Sequence, residues 1–391
     1  MHVSLAGPCA REVTGTKSRP AEDASALPST PAPPPLRALP SVGGRTGWPW
    51  DVPLENPPDA TAAAVRPGIG PDSASPAENE VSISLVLVSY NQAAYLEESI
   101  RSVLLQDPPP SELFIIDGGS TDGSVEIIRK YAPWLTGWVS ERDRGQSDAI
   151  NKGFARCTGE VVNWLCSDDF LLPGALRAVQ GAFRDGAAGS EGGVDVVAGN
   201  ARYHHEDGRT PDFSTCVDAR AVRRLPTVNL LLQPSCFFRR RLLGRSPRVR
   251  EDLHYTMDLE LWTWLKVGGA KWAFLPQDLS VYRVTGQNKS VKGWRETMRE
   301  LRRVYGEYER PWIPLWWWFS LCWLPAAKWR HGSRTWVTRA LSRRVVAWLE
   351  RGLRLFYDRE HVAGFAISYH WYALGPWVMA RRAREQAEEP R

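Results

Sequence analysis

The sequence predicts an α/β fold in which a mixed, mainly parallel β-sheet is flanked by helices. Three observations lead there. Between Val81 and about residue 290, short β-branched apolar runs alternate with segments of helical period, the pattern of βαβ units. Acidic residues stand at or just past the ends of those runs, at Asp117 and Asp168-Asp169, and ligands of parallel sheets sit at the carboxyl ends of strands. Hydrophobic residues make up 43% and charged residues 24% of the 391-residue chain, a balance that excludes a mostly disordered, collagen-like or polytopic membrane protein.

The elements follow in order. Residues 1–80 hold 15 of the 30 prolines, among them Pro33-Pro34-Pro35, and too little apolar surface to offset chain entropy, so this segment is expected to be disordered. It shows no continuous apolar stretch of the kind a signal peptide carries. SISLVLVSY (82–90) reads as a buried strand, and Leu96, Ile100, Val103 and Leu104 then recur at helical spacing. LFIID (113–117) is a second strand. Thr121 or Asp122 can cap the next helix, with Val125, Ile128 and Tyr131 inward. A helix fits Ser147 to Ala155, VVNWL (161–165) is a third strand, and Pro173 suits the first turn of a helix towards Phe183. VDVVAG (194–199) is a fourth strand. His204-His205 is expected in a surface loop, since neighbours on a strand point to opposite faces and cannot share a metal.

Several function classes drop out on composition. The net charge of +5 is 49 basic minus 44 acidic residues, which gives no argument for nucleic-acid binding. Six cysteines without a CxxC pair or a Cys/His cluster give none for structural zinc, and they suit a reduced, cytoplasmic compartment. Gly118 and Gly123 have P-loop spacing, but Ser124-Val125 stands where Lys-Ser/Thr is required, and no GxGxxG follows the first strand.

The acidic positions carry the chemistry: Asp117 in IIDGGSTDGS, Asp143 in ERDRGQSDAINKG, and Asp168-Asp169 in WLCSDD. Any one of them alone reads as a turn former or helix cap. Clustered carboxylates repel unless a cation or a donor-rich ligand joins them. A hard divalent ion on one or two carboxylates plus substrate phosphates is the usual arrangement, which points to a nucleotide diphosphate.

These stretches, together with VSYNQ (88–92), QPSCFFRR (233–240) and MDLELW (257–262), resemble in order and spacing the family 2 glycosyltransferases, inverting enzymes of the Rossmann-like GT-A fold. The resemblance runs from Val81 to about Ser290 and implies a catalytic domain over 81–300. It implies a nucleotide-sugar donor, UDP-linked in the first instance, held by Ser89, Tyr90, Asn91, Asp117, Gly119, Ser120, Asp143, Gln146, Asp148, Asn151, Asp168 and Gln233. It implies Mg²⁺ or Mn²⁺ on Asp168 and Asp169, and Asp258 as catalytic base at the start of a helix, where the other reading of Asp258 is a cap. Arg239-Arg240-Arg241 is expected to approach donor or acceptor, and Lys289-Ser290 in YRVTGQNKS to reach the donor phosphates. Three positions depart from the family's pattern: Cys166 stands where many members carry Asp or Asn, Gly118 replaces a second acidic residue, and Met257 replaces Glu. The acceptor implied is a glycan or lipid-linked glycan of the bacterial surface. The alternative is a catalytically silent nucleotide- or glycan-binding protein on the same fold.

Residues 301–391 read as a helical, Trp- and Arg-rich extension: ten of the 19 tryptophans lie from Trp312 onward. PWIPLWWWFSLCWLPAAKW (311–329), followed by Arg330, Arg334 and Arg339, has the composition of a membrane-interfacial segment, which would place the protein peripherally at the inner face of the membrane. A helical subdomain packed on the core and a spanning helix are the alternatives.

Overall fold

A computed structural model of the protein describes residues 33–40, 42–50, 81–189, 193–207, 211–244, 248–285, 288–289, 293–308, 321–322, 324–332 and 336–354. The chain divides between Pro33 and Pro34, and every element below belongs to the unit Pro34–Arg391. The strands are β1 (Ile83–Ser89), β2 (Glu112–Asp117), β3 (Gly137–Ser140), β4 (Val161–Cys166), β5 (Phe170–Leu171), β6 (Val196–His205), β7 (Phe213–Ser214), β8 (Cys236–Arg239) and β9 (Trp272–Val284). The helices are α1 (Ala93–Leu104), α2 (Ser124–Tyr131), α3 (Gln146–Phe154), α4 (Ala175–Gly189), α5 (Ala219–Arg223), α6 (Met257–Val267), α7 (Trp294–Tyr308), α8 (Leu324–Gly332) and α9 (Trp336–Leu353).

The sheet runs β3-β2-β1-β4-β8-β6-β9-β5, with β7 beside β6. Its first four strands are parallel. β8 runs against both β4 and β6, and β6 and β9 are again parallel. The architecture is the expected mixed sheet between helical layers. Every residue of β1 is buried, which explains its unbroken apolar run. Ile83, Leu85 and Leu87 face the layer of α1, α2 and α4, whereas Val86 and Val88 face the layer of α3, α6 and α7.

Local departures have physical causes. α2 takes Gly123 as its N-cap, in the left-handed region at φ 97°. The Asp122 carboxylate instead serves two helices, accepting from the backbone N–H of Ser124 (3.1 Å) and of Ala93 at the start of α1 (2.9 Å). α4 begins two residues after Pro173. β6 continues through His204 and His205, so these lie on a strand and not in a loop; His204 Nδ1 lies 2.9 Å from Asp212 Oδ2. β9 contains Pro276, which a regular ladder excludes. Register shifts between Gly199 and Ala201 of β6 absorb it.

Part of the proline-rich segment is packed. Trp48 Nε1 donates to the Leu171 carbonyl (2.8 Å), and Arg101 of α1 donates to the carbonyls of Pro40 (3.1 Å) and Pro49 (3.3 Å). Leu36 and Leu39 rest on the α1-side core.

Trp164 and Trp262 are core residues, 1% and 0% exposed, stacked at 5.9 Å with 17° between their planes. Their burial leaves no face for stacking on a sugar. Phe238 and Trp272 meet Trp262 edge-on. Trp262→Ala is expected to destabilise the fold by about 3–5 kcal/mol, the range for deleting a buried aromatic, measured as the shift of a urea unfolding curve.

Residues 309–320 and 323, most of the Trp-rich stretch, lie outside the described residues. Beyond them, Ala327 of α8 and Val346 and Leu353 of α9 join the same apolar core as α6 and α7. Among the described residues, no helix is long and apolar enough to cross a membrane.

Candidate active site

The parallel strands β1, β2 and β4 end side by side, with Ser89 paired to Asp117 and Val88 to Cys166. Asp117 is fully buried and organises the turn that follows it. Its carboxylate accepts from the N–H groups of Gly119 (3.1 Å) and Ser120 (2.9 Å) and from the hydroxyls of Ser120 (2.5 Å) and Ser140 (2.6 Å). Ser120 Oγ accepts in turn from the Asn91 N–H (2.7 Å), and Asn91 Oδ1 from the Thr121 N–H (2.9 Å). The loops after β1 and β2 are thereby tied together. Asn91 sits in the left-handed region at φ 51°, which asparagine tolerates. Tyr90 projects outward, 61% exposed. The Ser89 hydroxyl is buried and has no hydrogen-bond partner among the described residues.

The site also explains Gly118. A Cβ there would lie 2.6 Å from Asp143 Oδ2 and 3.2 Å from the Tyr90 ring. A second acidic side chain would collide with Asp143 and repel it, so Tyr90, Gly118 and Asp143 form one compact wall.

Beyond β4, ligand atoms of Cys166, Asp168 and Asp169 all lie within 4.8 Å of one another. Asp169 is 2% exposed. Burial raises both carboxyl groups; for Asp169 the neighbouring Asp168 adds to it, and for Asp168 the Arg283 charge opposes it. Two raised carboxyls in contact are the donor chemistry a hard divalent cation fits, since its charge would stabilise both ionised forms. Cys166 is a poorer donor for such an ion. Burial, then Asp169, Asp168 and Asp258, push its thiol well above the ordinary range. Its sulfur accepts from Gln146 Nε2 at 3.1 Å.

The turn carrying the two aspartates is clamped from β9. The Arg283 N–H donates to Asp169 Oδ1 (3.0 Å), its Nε to the Asp168 carbonyl (3.0 Å), and its Nη2 to Glu98 on α1 (3.0 Å). Asn288 Nδ2 reaches Asp168 Oδ2 at 3.3 Å. Next to it, Lys289 lies over the Tyr255 ring at 5.3 Å.

Asp258 is the second residue of α6. Its Oδ2 accepts from Asn229 Nδ2 (2.7 Å) and its Oδ1 from the Leu259 N–H (2.8 Å). Burial pushes its carboxyl up to about 6, against these two hydrogen bonds and with help from the charge of Glu300. The Asp258 charge also raises the thiols of Cys166 and Cys236, so it acts on the strand ends of β4 and β8.

Other expected donor contacts are engaged elsewhere. Asp148 pairs with Arg144 (2.8 Å) and Lys152 (3.2 Å). Asn151 holds the segment before α6, bonding both the carbonyl (2.7 Å) and the N–H (3.0 Å) of Val249. Gln233 turns inward, 8% exposed, its amide donating to Asn163 Oδ1 (3.0 Å) and to the Trp164 carbonyl. In this structure the protein itself engages the side chains of these three residues. The basic run is a larger correction. Because β8 is antiparallel to β4, Arg239 and Arg240 emerge at the amino end of β4, bonded to Glu160 and Gly159, and Arg241 pairs with Asp195. They stand at the sheet edge opposite the carboxylates. Asn229, Arg283 and Glu300 were not anticipated as site residues.

The sequence profile of glycosyl transferase family 2 matches residues 84–244. An uncharacterized glycosyltransferase of Nostoc sp. is 37% identical over 122 residues, 30% of this chain and 38% of that protein. A Bacillus subtilis protein named as a teichuronic acid biosynthesis glycosyltransferase is 26% identical over 234 residues, 58% of this chain and 88% of that one. The solved structure of S. aureus TarS residues 1–349 is 19% identical, covers 75% of this chain and 92% of that one, and superposes with a TM-score of 0.45. Residues 84–244, with the strand-end carboxylates in place, are a family 2 glycosyltransferase domain.

Proposed function

We propose that the protein is an inverting hexosyltransferase that moves a sugar from a UDP-linked donor to a hydroxyl of a bacterial cell-surface glycan or glycolipid. The observation that carries this reading is the clustering of Asp168 and Asp169 with Cys166 past the end of β4, where the charge of Asp258 also reaches the Cys166 thiol, together with the wall of Tyr90, Gly118 and Asp143. In this reading Tyr90 and the Gly119–Ser120 turn receive the nucleotide, and Asp117 holds that turn from below. Asp168 and Asp169 would hold Mg²⁺ or Mn²⁺, which supplies charge neutralisation at the departing diphosphate. Asp258 takes the proton from the acceptor hydroxyl as its oxygen bonds the anomeric carbon. The bond from that carbon to the diphosphate breaks on the opposite side, the nucleoside diphosphate leaves with the electron pair, and the configuration inverts.

The acceptor side of the reading rests on the extension. Trp329 of α8 and Trp348 of α9 are exposed, at 41% and 69%, among arginines, which suits a peripheral site at the cytoplasmic face of a membrane. A panel of nucleotide sugars, assayed with Mn²⁺ for release of free nucleotide, tests the proposal. Release from UDP-sugars, abolished by EDTA, is the expected result; nucleotide binding with no turnover of any donor would favour the silent binding protein.

A further inference from the structure

α6 starts without a cap from its own first turn: Thr256, at the N-cap position, makes no capping bond with its side chain. The N–H groups of His254, Tyr255 and Thr256 point instead to the carboxylate of Glu300 on α7, at 2.8, 2.8 and 3.0 Å. The Thr256 hydroxyl donates to the same carboxylate at 3.1 Å. One side chain from the far end of the domain thus gathers the whole approach to the helix that carries Asp258.

α7 is held firmly enough for this. A Cβ at Gly293, just before it, would lie 2.1 Å from the Tyr255 ring, so the two segments touch. Met298, Leu301, Val304 and Tyr305 share a core with Met257, Leu261, Trp262 and Leu265 of α6. The ion pairs Arg250–Glu307 and Arg303–Asp252 fasten the flanks.

We propose that Glu300 is the positioning residue for Asp258: it gathers the approach to α6 and fixes the turn on which Asp258 stands. The carboxylate it brings there also opposes the ionisation of Asp258. The inference rests on the reading of Asp258 as the base. The positive end of α6, the Leu259 N–H and the Asn229 amide all favour the ionised carboxylate and so weaken it as a base. Burial opposes them, and so does the Glu300 charge. The other groups around Asp258 are the thiols of Cys166 on β4 and Cys236 on β8, both held neutral, and Asp168 and Asp169 beyond Cys166. Lys289 brings a cation over the Tyr255 ring.

The test is the pH dependence of kcat for UDP release from UDP-glucose and UDP-N-acetylglucosamine with Mn²⁺, in the full chain and its E300Q, E300D and D258N variants. E300Q keeps the size and one acceptor oxygen but removes the charge. Its acidic limb is expected to move down by about 0.5–1 pH unit, the scale of one partly buried charge acting on another. Its plateau rate is expected to fall roughly 3–10-fold as the base weakens. E300D, which keeps the charge, is expected to hold the limb near its wild-type position. A limb that stays in place in E300Q, or moves in E300D as far as in E300Q, overturns the role of Glu300, while a large loss in D258N leaves Asp258 standing as the base. Wild-type turnover in D258N overturns both.

Discussion

Replacing Asp258 by Asn is expected to lower kcat about 10³-fold and yet make the protein more stable. In the proposed reading, the rate loss follows from removing the group that takes the proton of the acceptor hydroxyl, within the usual range of general-base catalysis. The gain in stability follows from the same burial. In the folded protein the carboxyl is raised from 3.8 to about 6. Below pH 3.8 it is protonated in both folded and unfolded chains and has no effect. Between there and about 6 the folded chain holds a proton that the unfolded chain has released, so rising pH costs stability. The deficit persists at pH 7 and amounts to about 1–3 kcal/mol. Asn removes the deficit, less the poorer contact it makes with the Asn229 amide. Paired urea unfolding curves of wild type and variant at pH 7 measure the gain, and a less stable variant would refute it. In the wild type, kcat is expected to fall as pH drops below about 6, because the base must be ionised to act.

Asp168→Ala is expected to abolish metal-dependent turnover, with a loss of about 10³-fold that added Mn²⁺ does not restore, since a directly held cation contributes several kcal/mol to such a step. Arg283→Met is the informative contrast. Arg283 touches the Asp168 carbonyl and the Asp169 carboxylate from outside the cluster. Its loss is expected to raise the Mn²⁺ concentration for half-maximal rate about 10–100-fold, with most of the activity recovered at saturation. Equal Mn²⁺ dependence of Arg283→Met and wild type would show that the clamp does not shape the cluster.

The parallel half of the sheet was legible because its strands are buried on both faces, and SISLVLVSY and VVNWL have no other reading. Asp117 and Asp168-Asp169 were legible for a related reason: a charge directly after such a run has to stand at a strand end. Strand direction is not written in local pattern. Nothing in CFFRR says that β8 runs backwards, so the arginines after it were expected at the carboxylate edge and stand at the opposite one. Asp148 and Asn151 share one helix with Gln146, but only the fold shows that Arg144, Lys152 and Val249 engage them. Arg283 lies 115 residues from Asp168 and 185 from Glu98, beyond the reach of any spacing argument. Pro276 concealed β9, and only its pairing with β6 reveals why the strand survives the proline.

The reversal at β8 has a consequence for how such a protein can diversify. On one side of it, β1 to β4 come from a single continuous stretch of chain and supply Tyr90, Asp117 and Asp143. On the other side, β6 and β9 come from later sequence and bring Arg283, while α6, also from later sequence, brings Asp258 from the helical layer over β1 and β4. The profile match to the family ends at residue 244, before either of those two. In the proposed reading, the first stretch grips the nucleotide and the second faces what receives the sugar. Mutations in the later half can therefore retune the recipient only where they spare the hold of Arg283 on the Asp168-Asp169 turn, so one arginine ties the two specificities together.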